Sequence, residues 1–242
     1  MSIKRNLRSL AESSGFQVHK TDVYSSKNLR QSRLFSLLGV DLVVDVGANA
    51  GQFAAQCRDI GYRGQIISFE PSATAHSELL HAAAGDSLWT VADRMALGAS
   101  TGEVKINISA NSFSSSILPM LDSHLSVAPE SAYVQRDKVP MRRLDDVLET
   151  VAVNHKIFLK LDVQGFESQV LQGAIRTLTL TRAVQLEMSL LPLYEGEVLM
   201  PEMCADMSAR GFKLWDLEPS FRDPESGRLL QVDGIFTRQA VG

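Results

Sequence analysis

Cysteine is nearly absent from this chain of 242 residues: only Cys57 and Cys204 occur, far apart. Two such residues give neither a zinc-ligand spacing nor a disulfide framework, so buried free thiols in helix-like stretches are expected. No apolar run approaches the roughly 18 residues that mark a membrane-crossing helix. Lys4, Arg5 and Arg8 stand near the start, but no continuous apolar segment follows, so a secretory signal is not expected. Concentrated positive charge is missing too: 24 Lys and Arg face 28 Asp and Glu, for a formal net charge of −4. Binding to double-stranded nucleic acid needs clustered cations, and no nucleic-acid partner is expected. There is no internal repeat and no low-complexity linker. What remains is a soluble, cytoplasmic protein, with 45% hydrophobic residues to build a substantial core.

One more absence is chemical. The stretch VVDVGANAGQ, residues 43–52, has the form of a strand, a glycine turn and a helix start. A dinucleotide fingerprint would read G-x-G-x-x-G. Here Gly47 and Gly51 stand four apart, Asn49 takes the place of the middle glycine, and Asp45 precedes the turn. The second strand, ISFEP, ends in Glu70 and Pro71. A terminal carboxylate there can accept both hydroxyls of a ribose. The pattern suits a nucleoside cofactor without a pyrophosphate, and S-adenosylmethionine is the leading candidate.

The rest of the chain alternates strands and helices. Residues 41–46, 65–69, 88–91, 157–161 and 183–188 read as strands, with helices over 51–60, 73–84, 144–151, 166–171 and 201–210. Such alternation predicts a parallel sheet with right-handed crossovers. A further strand is expected over 104–108. The final strands, 212–217 and 230–237, are expected to form an antiparallel pair. Residues 119–140 carry scattered Pro, Ser and charge and read as a long excursion with at most a short helix. An N-terminal helical extension over 1–38 and one domain over 39–242 are expected.

Candidate site residues lie beyond the carboxyl ends of the strands, where open α/β sheets bind ligands. Asp45 is placed to meet the cofactor's amino group or the backbone of the glycine turn. Gly47 and Gly51 allow close approach, and Asn49 supplies a cap or a cofactor contact. Asp93 and Met95 are candidates to flank the adenine. Asp162, in KLDVQGFE, ends another strand and can act as a base, orient an acceptor or hold a divalent metal. Lys160 in the same strand needs a partner or a place near the rim. Glu187 and Asp233 sit in core-like strands, where a carboxylate is costly unless paired. A magnesium or calcium ion shared by Asp162, Glu187 and Asp233 is one option. Ser115 and Ser116 in the NSFSSSIL loop, with Tyr194, are candidate substrate contacts, and His124 a candidate base.

The ordered set VVDVGANAGQFA, ISFEPS, NSFSSSIL, MRRLDDVL, FLKLDVQGFESQVLQGA, QLEMSLLPLYEG and GRLLQVDGIFTR resembles the FkbM-type family of S-adenosylmethionine-dependent methyltransferases. The resemblance covers most of residues 40–238. It implies a Rossmann-like class I methyltransferase fold: a mostly parallel seven-stranded sheet with a reversed last strand and helices on both faces. It also implies methyl transfer to a hydroxyl oxygen of a sugar, a lipid-linked saccharide or a polyketide-like metabolite. The N-terminal 38 residues lie outside the motifs and are assigned to a lid or a homodimer contact. Gln164 departs from the glutamate that the family carries at that turn. Two other readings share the strand–turn–acid pattern: a nicotinamide-dependent oxidoreductase and a non-catalytic cofactor-binding protein.

Overall fold

The computed structural model describes residues 10–16, 20–151 and 154–238. The expected N-terminal extension is therefore described only in part, and residues 1–9 and 17–19, with Lys4, Arg5 and Arg8, lie outside it. Helix α1, Lys27–Leu38, begins at Ser26, whose hydroxyl accepts from the Leu29 amide, and stops at Gly39 in the left-handed region. That start and stop follow the usual caps, a short polar side chain before and glycine after.

Seven strands form the main sheet in the order β3-β2-β1-β7-β8-β10-β9. They are β1 (Leu42–Val46), β2 (Gln65–Phe69), β3 (Trp89–Val91), β7 (Ile157–Leu161), β8 (Thr181–Ser189), β9 (Lys213–Pro219) and β10 (Gln231–Thr237). The pairs β1–β2, β2–β3, β1–β7 and β7–β8 are parallel, while β10 runs antiparallel to both β8 and β9. This is the expected sheet with its reversed last strand. The chain leaves β1 in one direction to β2 and β3, and later returns on its other side as β7. The crevice beyond the β1 and β7 carboxyl ends is the topological switch point, where such sheets bind ligands.

Helices α2 (Gln52–Asp59), α3 (Ala73–Ala83), α6 (Glu167–Gln172), α7 (Ile175–Leu180) and α8 (Met200–Ala209) cover the sheet, and α4 (Asp122–Leu125) and α5 (Leu144–Val147) are single turns. Side chains alternate across the sheet with period two. Leu42, Val44, Val46, Leu159 and Leu161 join Val170, Leu171, Met203 and Met207 on one face. Val43 and Phe158 join Leu34 and Phe35 of α1 and Ala54 and Cys57 of α2 on the other. Helix α1 thus shares the core of the sheet.

That second face changes character along its length. At the amino ends of the parallel strands it presents Val43, Phe158 and Ala183, with Ile235 of the reversed strand, all buried. Toward the carboxyl ends the same rows present Asp45, Lys160, Gln185 and, on the reversed strand, Asp233. The register pairs Asp45 with Lys160, Lys160 with Gln185, and Glu187 with Asp233. Polar chemistry therefore gathers at one end of one face.

Residues 119–140 differ from expectation. After α4 the chain forms β6 (Tyr133–Arg142), a ten-residue strand in a second sheet of order β4-β6-β5, with β4 (Ala96–Leu97) and β5 (Gly102–Ser109). Only Val139 of β6 is buried. The strand is largely solvated, so it lacks the apolar alternation by which strands are recognised. Both cysteines are free, Cys57 buried and Cys204 half-buried. Among the described residues, no helix is long and apolar enough to cross a membrane.

Gly47 has φ +75°, and a Cβ there would stand 1.9 Å from the Asp162 carbonyl oxygen. Gly61 also has a positive φ, +90°, but faces open space. A left-handed non-glycine residue costs about 1–2 kcal/mol. Gly61→Ala is expected to cost about that in urea unfolding, and Gly47→Ala distinctly more, because backbone of β7's exit must also move. Equal losses would show that the contact at Gly47 is of no consequence.

Candidate active site

A cleft of about 330 Å³ lies over the carboxyl ends of β1, β2 and β7. Its floor is the glycine turn, whose amides are all consumed internally. Gly47 and Ala48 N–H both donate to the Phe69 carbonyl at 3.0 Å, the Asn49 amide to Glu70 Oε2 at 2.8 Å, the Ala50 amide to Asn49 Oδ1 at 2.7 Å, and the Gly51 amide to the Ala48 carbonyl at 2.8 Å. No amide of residues 47–51 is left to cradle a pyrophosphate, which dinucleotide sites bind through such groups. The glycines serve packing: Gly47 lets the β1 exit lie against Asp162, and Gly51 makes room for Trp89 and Leu79. Asn49 holds φ +48°, a left-handed conformation that asparagine tolerates better than most.

Glu70 stands at the end of β2, buried, accepting from the Asn49 and Ser72 amides at 2.8 Å each. Burial pushes its carboxyl up to about 7, against the pull of those two amides. Each oxygen keeps a lone pair for a further donor.

Lys160 is the central charge. Its Nζ lies 3.3 Å from Asp45 Oδ1, 3.3 Å from Asp162 Oδ2 and 3.2 Å from the Gly47 carbonyl oxygen, and 5.5 Å from the Phe53 ring centre. Burial opposes its ammonium, but Asp162, Asp45 and Asp233 together outweigh that and raise its pKa. Burial raises Asp45, with Lys160 pulling the other way. Asp45 is wholly buried, pairs with Lys160 and does not line the cleft.

Gln164 joins the carboxylates. It adopts φ +54°, and its Nε2 donates to Asp162 Oδ1 at 2.9 Å and to Glu187 Oε2 at 2.6 Å. Its Oε1 accepts from the Tyr194 hydroxyl at 2.6 Å. A glutamate here would set a third carboxylate against two others; the amide supplies donors to both. Burial, then Asp162 and Asp233, raise Glu187 well above the carboxylate range. Ser220 and Gln231 also donate to Glu187, at 2.9 and 3.0 Å. Glu167, pushed up to about 8 by burial, accepts from the Val163 amide and closes the turn.

The structure brings together Gly47, Asn49, Glu70, Pro71, Met95, Asp162, Glu187, Asp233, Ser115 and Ser116, all of which line the cleft. Asp45 and Gly51 lie beneath it. Asp93 is exposed and does not line it, whereas Met95 does. Tyr194 is fully buried behind Gln164 and does not line the cleft. His124 is also off the cleft, buried against the Tyr194 and Phe221 rings at 5.3 and 5.4 Å, and burial lowers its pKa. The Ser116 hydroxyl is engaged, donating to the Gln164 carbonyl at 2.7 Å and accepting from the Leu118 amide at 3.0 Å. Sequence reasoning passed over Gln164 as a bridge, and over Phe53 and Gln185 as lining residues. A polar residue at 185 between two apolar neighbours was the available signal. Among the described residues, no three His, Cys, Asp or Glu side chains are grouped so as to hold a metal ion.

The cleft fits S-adenosylmethionine. Phe69, Met95, Leu97 and Phe166 give it apolar lining suited to a purine ring, and Glu70 and Asp162 are carboxylates of the same lining. Fold and site together define a nucleoside-cofactor transferase of the Rossmann-like class. Residues 45–214 match the family described as Methyltransferase FkbM domain, and the chain belongs to that family. The curated 2-O-methyltransferase NoeI of Sinorhizobium fredii is 28% identical over 219 residues, covering 82% of each chain. Among solved structures, magnesium protoporphyrin IX methyltransferase from Synechocystis, with bound SAM, is 12% identical with a TM-score of 0.45, covering 99% of this chain and 98% of that one. Aeropyrum pernix fibrillarin is 11% identical with a TM-score of 0.46, covering 81% and 66%.

Ribose hydroxyls donate to an ionised carboxylate, and the ionised fraction of Glu70 rises with pH through about 7. Calorimetry should show S-adenosylhomocysteine binding about tenfold more tightly at pH 8 than at pH 6, as the competent fraction grows. Glu70→Gln should bind more weakly and lose this dependence. A pH-independent affinity in the parent protein would remove Glu70 from the ribose contact.

Proposed function

We propose that this protein transfers a methyl group from S-adenosylmethionine to a hydroxyl oxygen of a sugar or a related polyol metabolite. One observation carries the reading: Asp162 lies in the same cleft as Glu70, held by Lys160 and Gln164, with its side chain 36% exposed. The name of the rhizobial relative, a 2-O-methyltransferase, supports oxygen as the acceptor atom. The cofactor's sulfonium supplies an activated methyl group, so the protein's larger task is orientation. Asp162 accepts the proton of the acceptor hydroxyl. Lys160 and Gln164 fix its carboxylate, and Glu187 receives the other Gln164 N–H and keeps that amide in place.

The two cations that line the cleft, Lys27 and Lys160, both face carboxylates. A phosphate-rich polymer would meet no free cation among the described lining residues, which favours a neutral acceptor over a nucleic acid. The nicotinamide reading is disfavoured by the family match over residues 45–214. Because α1 shares the core and places Lys27 at the cleft, we include it with residues 39–242 in the catalytic unit.

Asp162→Asn should lower kcat by about 10²–10⁴-fold, the usual contribution of a positioned base. S-adenosylhomocysteine affinity should change far less. Undiminished turnover would exclude Asp162 as the proton acceptor.

A further inference from the structure

The cleft has a small annex on its Gln185 and Asp233 side. It is about 30 Å³ and shares Lys27, Phe53, Gln56, Gln185 and Asp233 with the main cavity. Its remaining wall comes from Gln31 of α1, from Asp216 and Glu218 of β9, and from Ile235. Lys27 and Gln31 are one turn apart on α1 and so project to the same side. Lys27, Gln31 and the β10 residues lie outside residues 45–214, the stretch common to the family.

Gln31 is 4% exposed, and its Nε2 has no hydrogen-bond partner. Its Oε1 accepts from Gln56 Nε2 at 3.1 Å, and Gln56 Nε2 also donates to Asn28 Oδ1 at 2.9 Å. A buried donor left without an acceptor is unfavourable, and native structures seldom leave one without reason. The annex supplies no free charge. Arg30 holds both Asp216 and Glu218, and Lys27 lies 3.9 Å from Asp233. An anionic group would meet three carboxylates there, and a cation would find all three already facing Arg30 or Lys27. The Phe53 ring and Ile235 give apolar surface beside the amides of Gln31, Gln56 and Gln185. Aromatic and aliphatic surface with amide and carboxylate groups beside it is chemistry that suits a neutral carbohydrate arm, a CH2 with a hydroxyl at its end. The volume agrees: about 30 Å³ exceeds the roughly 10–15 Å³ that one water needs.

We infer that this annex is an acceptor subsite that takes the hydroxymethyl arm of a neutral pyranoside, with the Gln31 amide donating to its hydroxyl oxygen. Helix α1 then selects the acceptor, while the carboxyl ends of β1, β2 and β7 hold the cofactor and the base. The inference rests on the sugar-hydroxyl reading of the main cleft and narrows it.

The test uses the full chain with S-adenosylmethionine and a panel of methyl hexosides beside the matching methyl 6-deoxyhexosides, reading release of S-adenosylhomocysteine. A site built to hydrogen-bond a hydroxyl strongly rejects the analogue lacking it. The parent protein should prefer a hexoside over its 6-deoxy partner by more than about tenfold in kcat/KM. Gln31→Leu should reduce that preference to within about threefold, chiefly by raising the hexoside KM. Lys27→Met, at a side chain 48% exposed, is a second variant that should also narrow the preference should Gln31→Leu fail to fold, with S-adenosylhomocysteine binding as the folding control. A preference unmoved in the folded variants, or absent in the parent, overturns the annex while leaving sugar methylation standing. No turnover of any glycoside overturns the sugar reading and the annex with it.

Discussion

The arrangement of the site depends on one buried ammonium. Lys160 ties Asp45 at the end of β1, the carbonyl of Gly47 in the next turn, and Asp162 beyond β7. Two adjacent parallel strands and the glycine turn are thus referred to a single charge. Removing one member of such a set leaves an uncompensated buried charge, which is more damaging than the set is stabilising. The same lysine keeps Asp162 at a fixed distance from the glycine turn. The glycine turn and Asp162 are therefore not positioned independently.

Around that charge the sheet divides its labour by position. One face is apolar throughout; the other is apolar only at the amino ends of the parallel strands and polar beyond Asp45, Lys160 and Gln185. The apolar part secures α1 and α2. The polar part lies at and beneath the cleft, where Lys160 pairs with Asp45 and Asp162 and the Gln164 amide joins Asp162 to Glu187. The turn after β1 is closed in the same way, every amide from 47 to 51 having an internal acceptor. Such a turn offers shape and one carboxylate, Glu70, where a dinucleotide site offers amides.

Much of the fold was legible. The central strands of the main sheet are rich in apolar residues, broken by single polar ones such as Asp45 and Lys160, because both faces are covered over most of their length, and the reversed last strand followed from the family resemblance. The solvated strand β6 was not legible, since ten residues with a single buried side chain leave no periodic trace. In the site, Gly47, Asn49, Glu70 and Asp162 could be picked out because each follows the end of a strand or lies in the turn beyond it, and Met95 because it falls in the segment after β3. Asp93, Tyr194 and His124 fell close in sequence to cleft residues but are turned away, exposed in the first case and buried in the others. Sequence position near a strand end does not say which way a loop residue faces.

By itself, the sequence determined the order of strands and helices, the position of the cofactor turn and the identity of the acids at the strand ends. Those follow from local rules: hydrophobic period, glycine and asparagine conformations, and the step from strand to turn. Only the tertiary structure decided that Lys160 would pair with both Asp45 and Asp162, that Gln164 would bridge Asp162 and Glu187, and that α1 would bring Lys27 and Gln31 to the cleft. Each of these depends on register between strands, or on packing between elements, distant in the chain. A hydrogen bond or an ion pair is decided by ångströms, and those distances exist only once the sheet has closed around its core.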